Sequence, residues 1–402
     1  MTATSSAELY YDPYDFEIDT DPYPIFRRLR DEQPLYYNDR YDFFTLSRFD
    51  DVQAASVEWK TYISSKGSVL EIIKSGMKIP PGSIIFEDPP MHTLHRGLLG
   101  RVFTPKRVAA LEPKVREFCA RSLDPLVGTG GFDFIKDLGA QMPMRTIGML
   151  LGIPEADQQA IRDRIDDGLR LTEGGMPDVD EQYGTGAESG NEFEEYIAWR
   201  AEHPSDDLMT ELLHAEYEDV TGERKTLTHA EVLGYINLLA GAGNETTTRL
   251  IGWTGKVLSD HPDQFREVAE DRSLVPNVIE EVLRYEAPSP VQARYVTRDV
   301  EHHGKVVPEG SAILLLTASG NRDERKFPDA DEFDIHRRID HHLSFGYGIH
   351  FCMGAALARL EGRIALDEVL QRFPSWEVDH DHAVQARTST VRGWETLPVV
   401  TP

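Results

Sequence analysis

Near its C-terminus the chain reads Phe345-Gly346-Tyr347-Gly348-Ile349-His350-Phe351-Cys352-Met353-Gly354, one cysteine in a loop tightened by glycines. A helical pattern follows, Met353 to about Phe373, which predicts Cys352 at a helix N-terminus. Unpaired backbone N–H groups and the positive end of the helix dipole stabilise a thiolate there. A thiolate open on one side is a ligand for a soft or borderline metal. A zinc site built from His341, His342, His350 and Cys352 fails on ligand spacing, because structural zinc sites use close pairs such as C-x-x-C.

A second constellation is Ala240-Gly241-Ala242-Gly243-Asn244-Glu245-Thr246-Thr247. It lies midway along a helical pattern that opens on a capping box, Thr228-x-x-Glu231, and runs to about Asp260. At about 1.5 Å per residue such a helix spans roughly 45–50 Å and crosses the whole molecule. Each interior glycine costs about 1 kcal/mol relative to alanine, so the small residues predict close approach of something large and flat. Thr246 lies four residues after Ala242 and can return its hydroxyl to that carbonyl. Glu281 and Arg284 stand three apart on one helical face. Cys119 sits in an apolar helical stripe with Val115, Phe118 and Leu123 and reads as a buried core cysteine.

Stepping along the chain, Leu35-Tyr36-Tyr37, Phe43–Leu46, Gln292–Val296, Val306-Val307 and Ala312–Leu316 read as strands. Helical periodicity dominates from Thr104 to Leu258. The segment Lys66–Ile85 reads as an apolar loop, either a core flap or a ligand-contacting loop, and Glu173–Gly190 as a lid or a disordered surface stretch. The 402 residues are 40% hydrophobic and 28% charged, the balance of a soluble globular protein. The net charge of −27 argues against nucleic acid and anionic membrane as partners. Between Arg96 and Arg121, however, seven cations face only Glu112 and Glu117, an expected docking face for an acidic partner. The acidic, tyrosine-rich start carries no basic n-region and no apolar span, so neither a signal peptide nor a membrane anchor is expected.

The F-G-x-G-x-H-x-C-x-G loop, the A-G-x-E-T segment Ala242–Thr246 and the E-x-x-R pair together resemble the cytochrome P450 family, of the soluble bacterial type. The resemblance implies a mainly α fold with smaller β sheets and a long central helix crossing over haem. It implies one domain, 1–402, with its β-containing region drawn mainly from 1–65 and 287–320. Cys352 would be the axial ligand of iron in haem b. His92, Arg96, Arg294 and His342 would anchor its propionates, with Ala242, Gly243, Phe345, Gly346, His350 and Gly354 also against the cofactor. Glu245 and Thr246 would manage protons and dioxygen. Glu281 and Arg284 would form a structural lock with a third member, Arg337 or Arg338. Many relatives carry Arg where this chain has Leu94, and His95 beside it is expected to alter local charge.

The implied activity is a haem-thiolate monooxygenase that inserts one oxygen atom of O2 into a C–H bond. Its substrate is expected to be mainly apolar, of lipid, terpenoid or steroid-like type. Candidate wall residues are Ile72, Ile73, Met77, Ile85, Leu238, Leu239, Ala242, Val291 and Gln292. Electrons would come from a ferredoxin-type partner docking near Arg96–Arg121, in the cytoplasm. The alternatives are a peroxide-driven peroxygenase and a haem-based ligand sensor without turnover.

Overall fold

The computed structural model describes residues 8–79, 82–171, 175–179 and 191–402. All but Gly175–Val179 of the segment Glu173–Gly190 lies outside them. The helices that position the site are α1 (Met91–Leu99), α2 (Pro105–Ala110), α3 (Glu112–Leu123), α4 (Met142–Leu151), α5 (Glu155–Leu169), α6 (His229–Asp260), α7 (Val275–Tyr285) and α8 (Ala355–Arg372).

The capping box forms. Glu231 N–H donates to Thr228 Oγ1 at 3.3 Å, and Thr228 N–H donates to the Glu231 carboxylate at 2.7 Å. Two otherwise orphaned donors are satisfied, and α6 runs for 32 residues. Its second half is sealed into the main apolar core with Phe134, Ile135 and the inner face of α8. A Cβ on Gly255 would stand 2.7 Å from the Phe134 ring, and one on Gly362 of α8 would stand 3.0 Å from Leu250. A Cβ on Gly243 would stand 3.2 Å from Ile147 of α4, and one on Gly241 would stand 3.8 Å from Ile165 of α5. Gly243 thus also lets α6 approach α4 closely, the contact at Gly241 is an ordinary one, and Ala242 is exposed on the open side of the helix.

The strands of the two larger sheets are β1 (Leu35–Asn38), β2 (Phe43–Leu46), β3 (Tyr62–Ile63), β4 (Gly131–Asp133), β5 (Gln292–Val296), β6 (Ala312–Leu315), β7 (Glu377–Val378) and β8 (Pro398–Val400). Five form one sheet in the order β1-β2-β6-β5-β3. β6 pairs parallel to β2, with Ala312 opposite Phe43, and antiparallel to β5, with Arg294 opposite Ile313. Its four buried residues suit a central strand covered on both faces. A second sheet, β7-β8-β4, draws on 131–133 and 377–400, outside the expected ranges. Strands of two or three residues carry no readable alternation. The segment Lys66–Ile85 contains a helical turn and a half, Leu70–Ser75, rather than loop alone.

Glu281 and Arg284 are wholly buried. Arg284 donates twice to Glu281 at 2.7 Å and also to the carbonyls of Asn321, Ala330 and Glu332. Arg337 is the third member, its Nε 3.1 Å from Glu281 Oε1. The Asn321 side chain accepts from Leu343 N–H and donates to Ser344 Oγ, each at 2.7 Å. The lock thus reaches the start of the cysteine loop. Replacing the carboxylate strands two guanidinium groups, so Glu281→Gln should destabilise by about 3–5 kcal/mol. A urea midpoint corresponding to a loss below about 1 kcal/mol would contradict this assignment.

Candidate active site

Helix α8 starts two residues later than the sequence pattern predicts, with Gly354 as its N-cap. Cys352 therefore stands just outside the first turn. Its N–H donates to Phe345 O at 2.8 Å, which closes the loop. Gly348, at φ 72°, lies so close to the Ser56 carbonyl that a side chain there would collide with it. The Cys352 thiol is accessible but closely surrounded by protein. Burial pushes it up, while the N–H groups of Gly354 and Ala355 and the charges of Arg96 and Arg359 pull it back. Bound metal would complete the deprotonation. Among the described residues no three His, Cys, Asp or Glu side chains converge on one point. A metal at Cys352 must bring its remaining ligands with it, as a macrocycle does.

Three of the four expected anchors, His92, Arg96 and Arg294, gather beside the loop together with His350. The His92 and His350 rings lie 4.4 Å apart, and the Nε2 of each is buried without a partner. Arg96 donates to the Phe351 carbonyl. Arg294 donates to its neighbour's carbonyl and, at 3.2 Å, to Gln292 Oε1. Burial, then Arg294, His92 and Arg96, drives His350 down to about 3. Burial also lowers Arg294 to about 10, opposed by Asp88. Two orphaned imidazole nitrogens and two desolvated guanidinium groups are the donor set that a pair of carboxylates requires. The residues present therefore fit haem propionates.

His342 does not join this group. It is buried with its Nε2 3.3 Å from Glu280, on the far side of Phe345. Residue 350, two before the cysteine, takes the place expected of residue 342. Gln292 is likewise spent on Arg294, and a Cβ on Gly346 would stand 3.3 Å from its Nε2. Ile72 is buried, and Ile73 and Val291 pack against an N-terminal apolar cluster. Ile85 and Ala242 remain exposed, Met77 is half-buried, and Leu238 and Leu239 join a cluster that Met353 also packs against. Met353 follows the cysteine directly, so this cluster brings the loop and the middle of α6 together.

On α6, Thr246 Oγ1 donates to the Ala242 carbonyl at 2.9 Å. Glu245 is buried and clasped by Arg249, which also donates to the Trp394 carbonyl. Two partners escaped the sequence reading. The Asp166 carboxyl on α5 is hydrogen-bonded to Glu245, and burial together with that like charge raises it, opposed by Arg162 and Arg249. Glu245 is lowered by its bond to Asp166 and by the two arginines, against burial. Two carboxyls this close titrate together, with a proton favoured on Asp166 over Glu245. Glu361 of α8 is enclosed near Thr146 and Thr247, and burial pushes it up to about 8 against hydrogen bonds from both hydroxyls. Neither acid has a spacing signal, because each meets its partners across a tertiary contact.

Most of the expected basic face is paired internally. Arg107 meets Glu211, Lys114 meets Glu117, Arg116 meets Glu112, Asp367 and Glu368, and Arg121 meets Glu155. Arg101, Lys106 and, on α8, Arg363 remain exposed.

A family model described as Cytochrome P450 matches residues 191–394. A protein of Mycobacterium tuberculosis carrying the name cytochrome P450 123 is 38% identical over 98% of this chain and 97% of its own. Cytochrome P450 109 of Bacillus spizizenii is 36% identical over 94% and 91%. The solved structure of CYP109Q5 from Chondromyces apiculatus superposes with a TM-score of 0.85 at 36% identity, covering 97% of this chain and 98% of that one. That of CYP109E1 from Bacillus megaterium, in complex with testosterone, gives 0.86 at 28% identity over 96% and 99%.

Glu361 makes stability depend on pH. Its folded value of about 8 lies above the usual 4.5, so the folded chain holds an extra proton between them. That contribution is full below about 4.5 and is lost as pH rises through about 8, by up to about 1.4 kcal/mol per pH unit. Glu361→Gln should therefore gain melting temperature relative to the parent, by about 2 °C or more, on going from pH 5 to pH 9. Parallel melting curves for the two proteins would show that Glu361 is ionised in the fold.

Proposed function

The chain belongs to the cytochrome P450 family, and we propose that it hydroxylates C–H bonds of an apolar small molecule with electrons from a ferredoxin-type donor. Its cofactor is haem b and its activity that of a monooxygenase. The observation that carries the finer reading is the intact acid–alcohol pair, Glu245-Thr246, on the helix whose apolar cluster receives Met353.

Haem, when bound, supplies an iron centre that activates dioxygen, and a thiolate ligand favours O–O cleavage. Cys352 would hold the iron, with Arg96, Arg294, His92 and His350 at the propionates. Reduction of oxygen to water consumes protons, which an apolar site does not itself contain. Asp166 carries the shared proton of the buried carboxyl pair, Glu245 accepts it, and neighbouring Thr246 presents a hydroxyl next in line. Arg162 and Arg249 keep the pair from holding two protons at once. Leu238, Leu239 and Ile85 offer apolar surface that excludes bulk water.

Those walls carry no charge, which favours a lipid, terpenoid or steroid-like substrate over a small acid. The testosterone held by the CYP109E1 structure supports that preference. Arg101 and Lys106, with Arg363 of the α8 helix on which α2 packs, offer an acidic donor a landing surface near the cysteine side. No described helix is long and apolar enough to cross a membrane. Two unpaired cysteines suit the reducing cytoplasm.

The reduced CO difference spectrum should show a thiolate-type band, and steroids and terpenoids should perturb the Soret band on binding. Tight binding only of small aromatic acids would overturn the substrate class. Thr246→Ala should continue to consume NADH while product per NADH falls about tenfold or more, the electrons appearing as hydrogen peroxide. Unchanged coupling would refute the role given to Thr246.

A further inference from the structure

Beside the cysteine loop stands a charged group that takes no part in the proton and substrate chemistry above. Arg359, on the second turn of α8, places its guanidinium 4.5 Å from the centre of the Phe345 ring. A cation over an aromatic face is attracted by the ring quadrupole. Glu280 of α7 grips the same guanidinium in two places, Nε at 2.6 Å and a terminal nitrogen at 3.0 Å. His342 closes the other side of Glu280 at 3.3 Å, its own ring 5.6 Å from that of Phe345. Phe345 in turn accepts the Cys352 N–H through its carbonyl. One aromatic ring thus separates a fixed ion pair from the loop that carries the thiolate.

We propose that Arg359 is an electrostatic positioning residue that acts through Cys352. Its positive charge moderates the electron-donating power of the thiolate, and Glu280 sets how much of that charge the thiolate feels. This rests on Cys352 being the iron ligand. The charges are permanent at working pH. Glu280 is held at about 2, because His342 and Arg359 outweigh the burial that pushes it up. Arg359 also stands among the charges that pull the Cys352 thiol down against burial. The bidentate clasp points the guanidinium at the ring instead of leaving it to wander in solvent.

The two members of the pair must act in opposite senses, which a purely structural clamp would not do. A nearby cation favours the more negative state of a redox centre. Arg359→Gln should therefore disfavour reduction of the holoenzyme, by about tenfold in the one-electron equilibrium constant, or about 59 mV. Glu280→Gln, which leaves the Arg359 charge unopposed, should favour reduction. Arg359→Lys should recover most of the parent potential, and the double Arg359→Gln/Glu280→Gln variant should lie near the parent. The reduced CO band of each variant reports separately whether Cys352 ligates iron, so failure of the ligand assignment is distinguishable from failure of the tuning. Where a variant does not retain haem, alkylation of Cys352 in the full-length apoprotein decides. The rate should fall several-fold in Arg359→Gln and rise in Glu280→Gln, as the thiolate fraction changes. Cys119 is buried, and burial pushes its thiol far up, so it does not compete. Potentials or alkylation rates that move in the same direction for both single variants, or in neither, would overturn the proposal.

Discussion

The buried guanidinium of Arg284 is the interaction on which the cysteine loop depends. A charge removed from water needs compensation on every donor, and here Glu281 takes two while three backbone carbonyls take the rest. One of those carbonyls ends a short helix, Thr317–Asn321, and the other two belong to irregular chain, 322–332, that has no helix or strand of its own to order it. Satisfying one arginine therefore fixes a whole loop. Asn321 hands that order on to Leu343 and Ser344, and Ser344 Oγ ties back to the Leu283 carbonyl. The cysteine then emerges from a frame rather than from a flexible connection, which a metal ligand requires.

Around this frame the charges are sorted. Hydrogen-bond donors without strong acidic partners gather where propionates belong, the guanidinium groups of Arg96 and Arg294 and the neutral imidazoles of His92 and His350. Acids with raised proton affinity gather behind α6, at Asp166 and Glu361. The balanced pair Arg359–Glu280 lies outside the Phe345 ring. These groups are buried or half-buried, so their effect on the thiolate or on a proton is larger than the same charge exerts in water. The overall charge of −27 conceals this arrangement.

Local chemistry was legible where a motif is contiguous. The capping box, the cysteine loop with its glycines, Thr246 reaching back to Ala242 and the buried Glu281–Arg284 pair all follow from short spacings, since a helix or turn fixes which neighbours meet. Expectations failed where a residue's neighbour comes from elsewhere in the chain. His342 faces Glu280, Gln292 supports Arg294, and most of the basic stretch from Arg107 to Arg121 is neutralised, partly by acids as distant as Asp367. The short strands β4, β7 and β8 escaped because two or three residues hold no period.

By itself the sequence determined the family, the cysteine loop and the long helix that passes the site, because those rest on contiguous motifs and on hydrogen bonds and dihedral preferences within a few residues. Tertiary structure alone decided that Arg337 completes the lock, that His350 rather than His342 stands against His92, that Asp166 meets Glu245, and that Arg359 stands over Phe345. The reason is physical: whether a charged side chain anchors, relays or tunes depends on its desolvation and on which opposite charge reaches it, and both are set by packing between segments far apart in the chain.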